Sequence, residues 1–511
     1  MKSVHNFFFA VIGASTLGAT AYGTQPPDVV SSDSVNNTAM GSNALYSLTS
    51  GGNDTAAGIN ALTALTTGSD STAFGSFALY YNTTGSLNTA VGSSAMLGNT
   101  TGPGNTAIGA HALEGNTTGQ LNTATGLYTL SANTGSHNTA SGDYALRNNA
   151  GNYNTASGDT ALLLNSTGSY NNAFGASALE NNTTGTGNTA DGYFALTFNS
   201  TGNYNVAAGY WALYANTTGA NNTGAGVSAL HDNTTGTNNS AMGVEALFHN
   251  TTADDNDAMG HAALFSNTTG TRNNAMGSET LYENTTGNYN DAVGYLALYY
   301  NTTGSFNVGI GYQAGYYLTS GSNNIDIGNH GVATDNGILR IGTPGTQTAT
   351  YISGIENAKV TGSAVYITAT GQLGVLASSE RYKTAIAALG AGNTEKLNQL
   401  RPVSFHLKND PNDSVQYGLI AEEVDKVYPE MVIRDEAGNI QGVRYDELAP
   451  MLLSEMQQQR RINAAQDSEI RNLKQQQKAM QLQLAELDAL KMELYAAARQ
   501  QRSKATLVAQ R

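Results

Sequence analysis

The chain has 511 residues, of which only 12% are charged and 58 are glycine, a mixture that suits a repetitive fold better than an ordinary globular one. Its net charge of −15 argues against nucleic acid as a partner, because neutralising phosphates requires clustered Lys and Arg. With no cysteine, it can form neither disulfides nor thiolate metal sites.

At the N-terminus Lys2 precedes the apolar run "FFFAVIGASTLGA", and "ATA" (Ala19 to Ala21) follows with small residues suited to cleavage. This order predicts a signal peptide over residues 1–23 and a short linker over 24–34. The protein is therefore expected to be exported, to the cell surface or medium, or to the periplasm or outer membrane of a Gram-negative cell. The run is too short for a stable membrane span, and no second apolar segment follows, so no transmembrane anchor is expected after signal removal.

From 35 to 331 the chain repeats a frame close to N-T-A-x-G-x-x-A-L-x-x-N-T-T-G-x-x. Its anchor glycines, Gly41, Gly58, Gly75 and onward to Gly328, lie 17 apart except for two intervals of 16 around Gly142. The shortened repeats lose their residue from N-T-T-G while A-x-G-x-x-A-L stays intact. N-T-T-G is thus expected to form an outer turn, and the Ala and Leu three and four residues after each glycine an inner wall. A unit this short buries no core alone, so coils must stack. The prediction is a mainly β chain: a β-roll or β-solenoid of about 18 coils, roughly 85 Å long at ~4.8 Å per coil. Its thin interior would gain from burying a face against copies of itself.

Aromatics recur one residue after the Leu at Tyr80, Tyr214, Phe248, Phe265, Tyr282 and Tyr299, which predicts a stacked ladder with a structural or intersubunit role. A sugar-binding stripe, or an ice-binding surface using the threonines, is the alternative. "NTT" also reads as a glycosylation acceptor, but turns and asparagine ladders need the same residues. The acids of the repeats are isolated apart from "ADDND" (Ala253 to Asp257), a loop or a weak calcium site, so a polysaccharide-degrading spike is less well supported. The eight His lack ligand spacing, and neither a metal nor a cofactor is expected. The frame resembles the head repeats of trimeric autotransporter adhesins, whose units are usually shorter than 17; the resemblance implies a trimeric β-roll.

Residues 332–377 read as a β-rich neck. At Ser378 the charges begin. "SSERYKTAIAALG" predicts a helix entered through a serine cap, Pro402 separates "EKLNQL" from a strand, and a strand, a helix, a hairpin over "EAGN" and another helix follow. This gives a small α+β domain over 378–450. A heptad frame through Leu452, Met456, Asn463, Ile470, Leu473, Gln477, Met480, Leu484, Leu487, Lys491 and Leu494 then predicts a coiled coil over 451–498, taken as three-stranded, with a tail over 499–511.

"SSERYK", "LRPVSF", "YGLIAEEV" and "VRYDEL" together resemble the C-terminal intramolecular chaperone of phage endosialidases and tail-spike or tail-fibre proteins. The resemblance implies a domain that trimerises, registers a β-rich fibre and then cuts itself off. It implies Ser378 as nucleophile and Lys383 as its base, with cleavage between Ala377 and Ser378, so any enzyme activity is a single-turnover Ser/Lys cleavage of its own chain. Such a lysine must be neutral to act, which requires desolvation or nearby positive charge; Arg381 could supply the latter. Glu422 and Glu423 are supporting candidates, placed to orient Lys383 or a water. The chain departs from many relatives at Ser379, where they carry Asp, and at Gln416, where some phage members carry His. Read from spacing alone, without the resemblance, Ser378 is a helix cap and Lys383 a solvated side chain. The expected partners are two further copies of the chain, with surface glycans or a host receptor as outside candidates.

Overall fold

A computed structural model describes residues 31–352, 365–368, 371–375, 379–390, 396–408, 413–435 and 437–508. The predicted signal peptide lies outside them. The chain divides into two compact units, the first ending at Ala349 and the second beginning at Thr350.

The first unit is a β-solenoid. Its 20 strands form one sheet. β1 (Ser31–Ser32) pairs antiparallel with β2 (Thr38–Met40), and all later strands, to β20 (Leu339–Ile341), join in parallel, each with the strand one coil away. Thr72 pairs with Thr89, Ala73 with Ala90 and Phe74 with Val91. The 17-residue step shortens to 16 where Thr123 pairs with Thr139 and Thr139 with Thr155, and to 14 where Ile325 pairs with Leu339. The expected parallel β-solenoid of about 18 turns is therefore present.

Strands β2 to β20 are three residues long, and the middle side chain typically faces inward: Ala73, Ala90 and Ala107 are fully buried. Beyond the strand, the chain turns through residues in the left-handed region, such as Phe77 (φ 58°) and Leu79 (φ 52°). A continuing strand would put adjacent side chains on opposite faces. The left-handed residues break that alternation, and Ala78 and Leu79 both point inward with no exposed surface. The anchor glycine starts this turn. At Gly75 φ is +144°, and a Cβ there would lie 2.4 Å from the carbonyl oxygen of Gly92 in the next coil. Backbone conformation and coil-to-coil approach both demand glycine at that position.

The asparagines complete the interior. N-T-T-G is an outer turn in its threonines alone, because its Asn and Gly face inward: Asn82 and Asn99 have no exposed surface. The Nδ2 of Asn99 donates to Asn82 Oδ1 at 2.9 Å and to the Gly102 carbonyl at 3.0 Å. A second buried ladder uses the Asn before each strand. Asn88 Oδ1 accepts the backbone N–H of Asn105 at 2.9 Å, and Asn88 Nδ2 donates to the Gly102 carbonyl at 2.9 Å. Each amide thus pairs polar groups that an Ala-lined interior would leave bare, at about 1–3 kcal/mol per unpaired group. The first threonine of N-T-T-G also bonds across coils, as Thr83 Oγ1 does to the Thr100 carbonyl. "ADDND" follows the same pattern: Asn239 donates to the Ala253 carbonyl, and Asp254 accepts from the N–H and hydroxyl of Thr237.

Outside the coils, Tyr214, His231, Phe248, Phe265, Tyr282, Tyr299 and Tyr316 stack in sequence, with ring centroids 4.8 to 5.6 Å apart. Stacking covers the ring faces and leaves edges toward solvent, whereas a sugar platform needs exposed faces. Tyr80 stands apart from this ladder and meets Tyr81 edge-on at 4.7 Å.

In the second unit, the hairpin of β21 (Val365–Ile367) and β22 (Leu373–Val375) is exposed. β23 (Val403–Phe405) follows Pro402 and pairs antiparallel with β24 (Gln416–Gly418), which leads into helix α1 (Ala421–Val427). β25 (Val432–Arg434) and β26 (Ile440–Val443) form the second hairpin, and α2 (Tyr445–Val508) runs for 64 residues. Val424, Tyr428, Met431, Val432 and Val443 are its small core. The expected α+β domain is present. The helix predicted over "SSERYKTAIAALG" is not: among its described residues there is one 3₁₀ turn, Glu380–Tyr382, and Ser379 makes no side-chain cap. Residues 379–390 are all exposed, so no packed face stabilises a helix there. Among the described residues, no helix is long and apolar enough to cross a membrane.

Two aspartates interrupt the interior. Asp54 takes an Asn position between Asn37, which donates to the Gly51 carbonyl, and Ser71, and its Oδ2 is buried without a partner. Asp326 takes the inward position of its strand, and both its oxygens are buried unpartnered. Burial is the main cause that pushes each carboxyl up to about 6; Asp70 and Asp33 add to it at Asp54. A carboxyl raised in the folded state stabilises below its unfolded pKa, and that stability is lost as pH rises from about 4 through about 6. Asp54→Asn is expected to restore the ladder donor and raise unfolding free energy at pH 7 by on the order of 2 kcal/mol. Denaturant titration at pH 7 and pH 3.5 checks this: the gain should vanish at the lower pH, and a gain independent of pH would refute the assignment.

Candidate functional site

The residues singled out by the sequence fall on an exposed segment and on the N-terminal turn of α1. Ala377 and Ser378 lie outside the described residues. The backbone emerges at Ser379 and makes one turn, in which the Lys383 N–H donates to the Glu380 carbonyl at 2.9 Å. Lys383 itself is extended, with φ −119° and ψ 145°, and exposed. The Arg381 guanidinium lies 4.6 Å from the Tyr382 ring centroid. No hydrogen bond or ion pair joins the Lys383 ammonium to another described side chain.

Glu422 and Glu423 open α1, where the helix N-terminus favours acids. Glu422 is exposed. Glu423 is committed to Arg401, with Nη2 to Oε1 at 2.6 Å and Nε to Oε2 at 3.2 Å. This hydrogen bond is the main reason why the Glu423 carboxyl is lowered and the Arg401 guanidinium raised. The two-point grip ties the "LRPVSF" segment to the "YGLIAEEV" helix.

Sequence reasoning missed Arg401, because its partner lies 22 residues away. It also missed why "YGLIAEEV" contains glycine. The Leu419 N–H donates to Tyr445 Oη at 2.7 Å, and a Cβ on Gly418 would lie 2.6 Å from that oxygen. Tyr445, the aromatic of "VRYDEL", therefore joins the base of α2 to β24 across a position with no room for a side chain. Gln416, at the other end of β24, pairs opposite Phe405. Beside these elements runs an open apolar groove of about 570 Å³, whose lining includes Leu397, Leu400, Pro402, Tyr417, Leu419 and Leu448. Among the described residues, no group of three or more His, Asp or Glu could hold a metal ion.

Residues 378–433 match the protein family described as chaperone of endosialidase, and the match begins at Ser378. This chain carries a chaperone-of-endosialidase domain. The matched span runs from the exposed segment through Arg401, β23, β24 and α1 into β25. The long β-solenoid precedes the domain, as the resemblance implied. No curated protein and no solved structure matches the chain.

The contact between Tyr445 and Gly418 gives a direct test. Gly418→Ala is expected to lower the melting temperature of the C-terminal unit by several degrees, followed by far-ultraviolet circular dichroism. Adding Tyr445→Ala should make the Gly418→Ala change smaller than in the parent. Strictly additive effects would show that the two positions do not meet.

Proposed function

We propose that this chain is an exported fibre whose C-terminal domain assembles three copies in register and then cuts itself off before Ser378. The observation that carries this reading is the family match beginning at Ser378, in a chain whose preceding part is a rod of near-identical coils. Identical coils can pair one step out of phase, and strand pairing between distant segments is slow. A domain that brings the chains together at one end before the coils close answers both problems.

The chemistry needs no cofactor. Ser378 Oγ attacks the Ala377 carbonyl carbon; a C–O bond forms, the Ala377–Ser378 C–N bond breaks, and the Oγ proton passes through Lys383 to the departing amine. Water then hydrolyses the ester. Arg381, two residues before Lys383, and Glu422 are the supporting residues of this reading, Glu422 as the acid that would orient the lysine or the water. The heptad residues of α2, among them Met480, Leu484 and Leu487, are exposed in a single copy, as expected of a helix that pairs with other copies. The N-terminal segment directs export, and the mature product is the released rod at the cell surface or outside the cell. There it presents a structural or adhesive surface to glycans or a host receptor.

Intact mass of the protein expressed without residues 1–23, beside Ser378→Ala and Lys383→Ala, tests the cleavage. A fragment beginning at Ser378 in the parent alone is the expected result. Full-length chain in all three would overturn self-processing and leave a permanent C-terminal foot.

A further inference from the structure

The outward face of the solenoid sheet changes character along its length. In seven successive strands from Thr55 to Thr155 the first outward position is threonine. In seven successive strands from Met242 to Ile341 the other outward position is Met, Val or Ile. These residues are 37% to 69% exposed. In the last three of those strands Val308, Ile325 and Leu339 make the first position apolar too. The result is an unbroken apolar strip, about 30 Å long at ~4.8 Å per strand. It widens toward Ile341, and the exposed Tyr295 and Tyr312 extend one flank. At the equivalent position Met40, Ala57, Phe74, Val91 and Ile108 are apolar in the first coils, beside threonine at the first position, and Thr125, Ser141, Ser157 and Asp191 separate that run from the C-terminal strip.

At roughly 50 Å² per half-exposed side chain, the strip and its flank offer on the order of 600 Å² of apolar surface. That approaches the ~800 Å² per partner of a stable interface. Contiguous exposed apolar patches of this size mark contact sites. The periodicity indicates the occupant. A partner must offer apolar groups at the spacing of the coils along the whole strip, and a second copy, related by rotation about an axis parallel to the coil stack, does so level by level. Asp257 and Asp291, at the first position of their strands, then fall on the rim, where interfaces are polar.

We infer that this strip is the contact between copies of the chain, and that the seam it forms along the C-terminal coils stops short of the middle of the solenoid. The inference rests on the multi-copy reading above and specifies which face the copies bury. The middle coils, with Thr125, Ser141, Ser157 and Asp191 at the same position, remain separate from one another and present that face to water.

The chain has no cysteine, so a single introduced one reports contact between copies without interference. Met276→Cys lies on the strip; Ser157→Cys occupies the same position in an earlier coil, and Thr286→Cys lies on an exposed turn. Each full-length variant is oxidised or treated with a short bis-maleimide, then run on a denaturing gel beside light scattering of the untreated protein. Met276→Cys is expected to give on the order of tenfold more cross-linked dimer than either control, since bridging requires close approach of the two residues. A multi-copy assembly by light scattering with no excess at Met276→Cys would overturn the seam and leave the assembly standing. Equal cross-linking at all three positions would also overturn it. A single-copy mass would overturn both.

Discussion

The whole rod depends on buried asparagine. Ala and Leu alone give each coil a narrow apolar interior, and the turns leave backbone carbonyls and N–H groups pointing into it. Asn82, Asn99 and their successors satisfy these groups within their own coil and reach the next one, while Asn88 and Asn105 tie backbone to backbone across coils. A coil stripped of its neighbours would lose these bonds, so stability resides in stacking rather than in any one repeat.

The same constraint creates a registration problem. Because each ladder rung is chemically like the next, a pairing displaced by one whole coil keeps nearly every hydrogen bond. A few features break this degeneracy: the coils of 16 residues between Thr123 and Thr155, the coil of 14 before Leu339, and the two buried aspartates. They mark positions along the rod at which a slipped pairing is penalised, by a lost residue or by a buried charge. A C-terminal chaperone domain makes physical sense on such a rod, where local interactions specify coil-to-coil contact strongly and absolute register weakly.

Much of this could be read from the sequence, because period and phase are one-dimensional signals. The 17-residue step, the shortened coils and the inward Ala–Leu pair follow from spacing alone. The inward course of the N-T-T-G asparagine did not, since burial of an amide becomes reasonable only once the partner one coil away is known. In the C-terminal unit the order of elements after Pro402 was legible, whereas the segment around Lys383 was misread as a helix. A serine cap and alanines favour helix locally, but Tyr382, Ile386 and Leu389 remain exposed and supply no buried face. The Arg401–Glu423 and Tyr445–Leu419 contacts join residues 22 and 26 apart with no periodicity to announce them.

The claim that the C-terminal domain sets register is tested most directly by refolding. The unprocessed full-length chain and a chain ending at Ala377 would be diluted from denaturant in parallel, and the molar mass of each product followed by light scattering. The account predicts one species of three chains from the full-length protein, and mixed or aggregated products from the truncated rod. A truncated rod that refolds to the same single species, at the same yield, would contradict it.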